Sequence, residues 1–325
     1  MKICIYGAGA IGGFIAVEMA LAGYEVCVIA RGAHLDAIKK KGLKLRIDGT
    51  EKKVRIPASD NPADFGNQDF IICALKSHQA AAAAADFAPL LGPETAVVTA
   101  MNGIPWWYFY KAGGEFEGQF LETVDPGGKQ WKLVGPERAI GCVVDPACEL
   151  IAPGVVEHHE LTRFTLGEPD GSSSDRIKLI SEAFKKSNLD APVRDQICFN
   201  VWLKLWGNVC FNAIGALTYS TLDRTTEDPA LRSLCKSMML ECKLINEALG
   251  IDIPDKFIER RLNAANAIKG HKMSMLQDLE RERSLEIDAL MTVVQEMGQM
   301  TAVSTPHIDI VLALIKERGR QAGLY

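Results

Sequence analysis

The chain opens on a short apolar strand pattern, Met1 to Tyr6, which runs through a glycine-rich turn into an apolar stretch of helical length, Ala10 to Leu21. Gly23 and a second strand pattern, Tyr24 to Ala30, follow at once. Further strand-length apolar runs lie at Phe70 to Leu75, Ala96 to Ala100, Arg138 to Val144 and Phe164 to Leu166. Strands alternating with helices in this way predict a doubly wound, mainly parallel sheet of the α/β class. A polar helix over Ser174 to Ser187 and a short Ala191-Pro192-Val193 segment close this half. Beyond Asp195 the period changes. Ile197 to Gly215, Pro229 to Gly250, Pro254 to Ile268, Met273 to Met300 and Pro306 to Gly319 read as helices separated by caps or breakers. Residues 1–194 are expected to form an α/β domain and residues 195–325 an all-helical one.

The first turn carries chemistry as well as structure. Gly7-Ala8-Gly9-Ala10-Ile11-Gly12 is a G-x-G-x-x-G sequence between a strand and a helix, where a dinucleotide fold places it. Gly7 permits the tight turn, Gly9 lets backbone N–H groups approach a pyrophosphate, and Gly12 allows helix and sheet to pack closely. The anion then rests at the positive end of the helix. The amino-terminal domain is therefore expected to be of the Rossmann type.

An acidic residue at the end of the second strand would bond the ribose 2′-hydroxyl and repel a 2′-phosphate, but the residue there is Arg31. Its cationic fork suits a phosphate dianion, so NADPH is expected over NADH. The alternative is an arginine that solvates a loop beside Gly32 and His34.

Composition narrows the class further. The 325 residues are 48% hydrophobic and 24% charged, with a formal charge of -5, values that give no reason to expect a nucleic-acid partner. No apolar run approaches the ~18 residues needed to cross a bilayer, so no membrane partner is expected either. The first strand leads directly into the glycine turn and leaves no room for a signal peptide. The nine cysteines form no C-x-x-C pair and fall mostly in apolar segments; they read as buried free thiols in a reducing cytoplasm. The six histidines lack metal-binding spacing, and no metal site is expected.

Hydride transfer to a carbonyl needs a group that stabilises and protonates the oxygen. In Trp202 to Asn212, the polar residues Lys204, Asn208 and Asn212 recur every fourth position and share one face of an otherwise apolar helix. An ammonium about 4 Å from an alkoxide is worth on the order of 4 kcal/mol at an effective dielectric of 20, close to a thousandfold in rate. The same spacing fits a solvated stripe or a hydrogen-bond network between domains. A second polar cluster joins Lys272 to Asp278, which includes Ser274, with Glu286-Ile287-Asp288. Read as one helix, Ser274 and Glu286 differ by ~120° in direction and periodicity does not bring them together, and a capped, charge-paired helix explains the cluster as well. Lys76 and Asn102-Gly103 follow the third and fourth strand patterns, at the carboxyl edge where ligands of open α/β sheets bind; a snorkelling lysine and a plain turn are the alternatives. The aromatic run Trp106 to Tyr110 and the Gly-rich stretch to Gly135 form a long excursion, either a wall of the binding cleft or a satellite core.

In this order the motifs resemble the ketopantoate reductase (2-dehydropantoate 2-reductase) family over nearly the whole chain. The family's GxGxxG, strand-end arginine, lysine after the third strand, NG pair, WxKLxxNxxxN helix, SMLQD segment and E-I-D match Gly7 to Gly12, Arg31, Lys76, Asn102-Gly103, Trp202 to Asn212, Ser274 to Asp278 and Glu286 to Asp288. The resemblance implies NADPH-dependent reduction of 2-dehydropantoate to pantoate, on the route to pantothenate and coenzyme A. It implies that Lys204 is the general acid and that Asn208, Asn212 and Ser274 bind substrate. Asn102 would meet nicotinamide and substrate, and Lys76 would lie along the cofactor. Glu286 would orient the reacting groups and hold Lys204 charged, and closure of the helical domain would exclude water.

Three departures fall around the substrate. Leu222 replaces an asparagine found in some members, Met291-Thr292 stand where Asn-Gly is common, and the Trp106 to Gly135 excursion exceeds the compact form. Another branched 2-ketoacid is thus the alternative substrate, and a non-catalytic NADPH-binding sensor is the alternative from a different class. The apolar helical faces are enough for a homodimer or for internal packing alone.

Overall fold

The computed structural model describes residues 1–325, which divide into two compact units, Met1–Cys198 and Phe199–Tyr325. The strands are β1 (Lys2–Tyr6), β2 (Glu25–Ile29), β3 (Leu43–Ile47), β4 (Thr50–Val54), β5 (Ala58–Ser59), β6 (Gln68–Cys73), β7 (Leu91–Ala100), β8 (Ala139–Val144), β9 (Ala147–Ala152), β10 (Val155–Glu160) and β11 (Phe164–Gly167). Five helices accompany them: α1 (Ala10–Leu21), α2 (Gly32–Lys41), α3 (Ser77–Ala82), α4 (Lys129–Leu133) and α5 (Asp175–Lys186).

Seven strands form the main sheet in the order β11-β8-β7-β6-β1-β2-β5. All neighbours are parallel except β11 with β8. The chain winds outward from β1 to β2 on one side and to β6 on the other, so the topological switch point lies between β1 and β6. Ser174 caps α5, its hydroxyl accepting the Ile177 N–H at 3.1 Å, and Val193 bridges to Leu166 at the edge of the sheet.

A second sheet, β4-β3-β10-β9, was not anticipated. LKLRI alternates apolar with charged residues and TEKKV is polar up to its buried Val54, so both lack the continuous apolar signal of the central strands. This sheet explains α1. The helix is apolar all round, with Gly12 to Met19 buried, because it packs between strands of both sheets. Its buried Glu18 is held from β4 by Lys52 Nζ at 2.5 Å.

The excursion after β7 is a satellite core rather than an open wall. Trp106, Trp107, Tyr108 and Phe109 are all buried, and the Trp107 indole donates to Thr99 Oγ1 at 2.9 Å. Trp107 also rests on Gly141, where a Cβ would stand 2.9 Å from its ring.

The chain enters the second unit within α6 (Ile197–Gly207), and that unit is helical throughout: α7 (Ala213–Thr218), α8 (Leu222–Glu227), α9 (Pro229–Ala248), α10 (Lys256–Ala267), α11 (Ser274–Glu280), α12 (Val293–Met300) and α13 (Pro306–Gln321) follow. Two expected helices are interrupted. Ile197 to Gly215 contains a π turn at Asn208–Asn212, and Met273 to Met300 breaks after Glu280, with a second π turn at Asp288–Thr292. Ser274 and Glu286 therefore do not share a helix, and the angle expected between them does not apply.

Candidate active site

In the first unit every predicted cofactor residue lies at the carboxyl edge of the main sheet, after β1, β2, β6 or β7. Gly7 adopts φ +98°, a conformation that side chains disfavour. A Cβ on Gly7 would also stand 2.7 Å from Leu75 Cδ2 and 3.2 Å from the Ala74 backbone. On Gly12 it would come within 2.0 Å of the Gly7 carbonyl oxygen, so helix and turn can meet only through glycine. Gly9 differs: nothing approaches within 4 Å of where its Cβ would stand. It is the N-cap of α1 and offers no side chain to the first turn. The leading N–H groups of α1, from Ala10 and Ile11 onward, are therefore disposed toward an external acceptor.

The N–H groups of Gly7 and Ala8 are already committed, donating to the Ile29 carbonyl at 3.1 and 3.2 Å. These bonds tie the glycine turn to the end of β2, two residues before Arg31. Arg31 is exposed at the N-cap of α2. It borders a cleft of about 380 Å³ together with Gly7, Ala8, Gly9 and Leu75. Tyr6 lines the same cleft, stacked on Phe87 with ring centroids 4.4 Å apart. Burial, and then the charge of Asp86, push its phenol well above the ordinary range, so it stays neutral. A space with these donors and no Cβ at Gly9 fits a dinucleotide.

Lys76 is the half-buried N-cap of α3, immediately beyond β6. Asn102 follows β7 and precedes Gly103, whose φ is +89°. The two lie at adjacent strand ends on the β6 side of the switch point.

In the second unit Lys204 is half-buried on α6, while Asn208 and Asn212 are buried at 8% and 1% exposure. The π turn governs their alignment. On a regular α-helix each four-residue step advances about 40° beyond a full turn, so Asn212 would stand about 80° from Lys204. A π turn closes after five residues and advances only about 80° per residue, which brings the second step back by about as much as the first went forward. The four-residue spacing thus yields a straighter stripe than an α-helix would.

Asn212 is also fixed from outside its helix. Its Oδ1 accepts both the Ser274 hydroxyl and the Met275 N–H, each at 3.1 Å. The amide is thereby oriented, and its Nδ2 is buried without a hydrogen-bond partner. A buried donor left unpaired is costly, and this one suits an oxygen acceptor such as a carboxylate or hydroxyl. The structure thus joins Asn212 and Ser274, residues 62 apart in the chain. Glu286 is half-buried in the non-helical segment between α11 and the second π turn. The departures Leu222 and Met291 are both buried in the helical unit.

Arg261 was not anticipated. From α10 it donates to the Lys204 carbonyl at 3.1 Å, and its guanidinium occupies the space a Cβ on Gly207 would need. Only the glycine at 207 hinted that something approaches the helix there.

Comparison with known proteins gives the same reading. Residues 3–171 match the family described as ketopantoate reductase PanE/ApbA, and residues 197–319 match its C-terminal part. A 2-dehydropantoate 2-reductase of Mesorhizobium japonicum is 49% identical over the full length of both chains. A crystal structure from Ralstonia solanacearum, provisionally named a ketopantoate reductase, superposes with a TM-score of 0.95 at 39% identity, covering 100% of this chain and 99% of that one. A D-mandelate dehydrogenase solved with NADH and anilino(oxo)acetate shares the fold at a TM-score of 0.87 and 20% identity, with complete coverage of both chains. With both halves matched and the glycine turn, strand-end arginine and lysine-asparagine stripe in place, the chain belongs to the ketopantoate reductase family of pyridine-nucleotide oxidoreductases.

Proposed function

We propose that the chain reduces 2-dehydropantoate to pantoate with NADPH. The observation that carries the cofactor choice is Arg31 lining the cleft with Gly9, at the end of β2 where an acidic residue would disfavour a 2′-phosphate; the cleft's carboxylates, Asp60 and Asp86, come from elsewhere in the chain. A guanidinium in that place pairs with a 2′-phosphate in two directions at once. When bound, the nicotinamide supplies a hydride to the keto carbon.

The chain's own residues do the rest. The N–H groups at the start of α1 hold the pyrophosphate. Asn212, its Oδ1 taken by Ser274 and Met275, turns its Nδ2 hydrogens to a substrate oxygen, and Asn208 and Ser274 add polar contacts on the same side. Lys204 delivers a proton to the oxygen that becomes the new hydroxyl, and its charge stabilises that oxygen as negative charge builds there. Lys204 regains its proton from solvent after each turnover, and the Glu286 carboxylate would favour that charged form. Lys76 and Asn102, at neighbouring strand ends, bind the cofactor, and Asn102 also meets the substrate.

The test is a steady-state assay with purified protein, comparing NADPH with NADH and 2-dehydropantoate with simpler and bulkier 2-ketoacids. The highest kcat/KM is expected for NADPH with 2-dehydropantoate. A higher kcat/KM for another branched 2-ketoacid would reassign the substrate and keep the chemistry.

A further inference from the structure

The second sheet has no place in the reaction, yet it touches both helix starts that border the cofactor cleft. It meets α1 at Gly13, where a Cβ would stand 2.7 Å from Val156 Cγ2 of β10. It meets α2 through His34, in the first turn after Arg31, and there the contact is polar at both ends. His34 Nε2 lies 2.6 Å from the carbonyl oxygen of Ala8, inside the glycine turn. His34 Nδ1 lies 2.9 Å from the N–H of Gly154, in the turn between β9 and β10.

These partners define the ring's proton without ambiguity. A carbonyl oxygen can only accept, so Nε2 carries the hydrogen and donates to Ala8. An amide N–H can only donate, so Nδ1 is bare and accepts from Gly154. The imidazole is thus a neutral crosspiece between two backbone segments, 26 residues away on one side and 120 on the other. Burial, opposed in part by the Ala8 hydrogen bond, lowers its pKa and favours this neutral form. Gly154 is buried with φ +78° and packs against Ala37 of α2, so the turn it donates from is itself held in place. Ala8 sits between the two glycines on which the cleft depends, and its N–H is tied to Ile29. The His34 bond holds the carbonyl of the same residue, in the next peptide group.

We propose that His34 is a positioning residue for the dinucleotide: by bridging Ala8 to Gly154 it anchors the glycine turn to the second sheet and keeps the first-turn N–H groups of α1 in binding geometry. Both ring nitrogens are engaged by backbone, so His34 acts through the turn and makes no phosphate contact of its own. The inference rests on the dinucleotide reading of the cleft and gives the second sheet its function.

The experiment titrates NADPH into the full-length protein and into His34→Leu, His34→Gln and His34→Asn, reading Kd by fluorescence, with kcat at saturating NADPH and Tm measured on the same samples. A glutamine amide can reproduce the donation to Ala8; an asparagine carbonyl can reproduce only the acceptance from Gly154. His34→Leu is expected to raise Kd about tenfold with kcat changed less than about threefold, and His34→Gln to recover most of the loss while His34→Asn recovers little. Equal Kd values in wild type and His34→Leu would overturn the proposal, and so would a lowered Tm with Kd unchanged across all three variants. Should His34→Leu not fold, the difference between the glutamine and asparagine variants decides alone. Wild-type protein that binds neither NADPH nor NADH would instead bring down the dinucleotide reading, and this inference with it.

Discussion

The two units build their functional groups from different materials. In Met1–Cys198 the candidate cofactor edge is made largely of backbone: a left-handed glycine, an uncapped helix start and an approach that a Cβ at Gly12 would block at 2.0 Å. In Phe199–Tyr325 the candidate groups are side chains, Lys204, Asn208 and Asn212 on a helix interrupted by a π turn and Ser274 at the start of α11. Backbone devices impose a local sequence and so can be read from it. Side-chain constellations need only the right residue types brought together, and the chain between them is free to vary.

The sharpest way to break this contrast is at Lys204. Lys204→Ala is expected to cut kcat by about a thousandfold while leaving NADPH Kd within about twofold, since the proposed role of the lost group is on the developing oxyanion. Unchanged turnover in that variant would remove Lys204 from the mechanism.

Asn212 comes next. Asn212→Ala deletes an acceptor shared by two donors as well as the Nδ2 donor, so KM for the ketoacid is expected to rise about 10–100-fold and stability to fall by about 1–3 kcal/mol. Asn212→Asp keeps an acceptor for Ser274 and Met275 and is expected to restore part of the stability but none of the substrate binding. Chemical denaturation and steady-state kinetics together separate the two effects. Equal losses of stability in both variants would contradict the role given to Oδ1.

Arg31→Ala sharpens the comparison from the other side, because Arg31 is a side chain on the backbone-built edge. The preference for NADPH over NADH, measured as the ratio of kcat/KM values, is expected to fall about 10–100-fold with little change for NADH. An unaltered ratio would transfer the 2′-phosphate to another group.

The smallest effect concerns pH. The folded state disfavours protonated His34, through burial opposed in part by its bond to Ala8. The unfolded chain therefore binds the proton more readily, and stability rises with pH. The contribution is complete above the ordinary histidine pKa of about 6.5 and is lost as pH falls from there toward the lowered folded-state value. Melting curves between about pH 7.5 and 5.5 should show a shallower decline in His34→Gln than in wild type.

Arg31 and Gly7 to Gly12 were legible because their chemistry is local: strand, turn, helix start and next strand end all fall within about 30 residues. The helical half was legible as helices and as a four-residue repeat of Lys204, Asn208 and Asn212. It was not legible as geometry. A single helix from Met273 to Met300 satisfied the periodicity, yet the chain leaves it after Glu280, and no apolar period records a π turn.

The amino-acid sequence by itself determined where backbone must turn, where N–H groups are left without partners and which charge stands at the end of β2, because steric exclusion and unpaired amides act between near neighbours. Tertiary structure alone decided that Asn212 is oriented by Ser274, that Arg261 reaches the Lys204 carbonyl and that His34 joins Ala8 to Gly154. Hydrogen bonds across 26 to 120 residues depend on how separate elements pack, and packing is a property of the whole unit rather than of any segment.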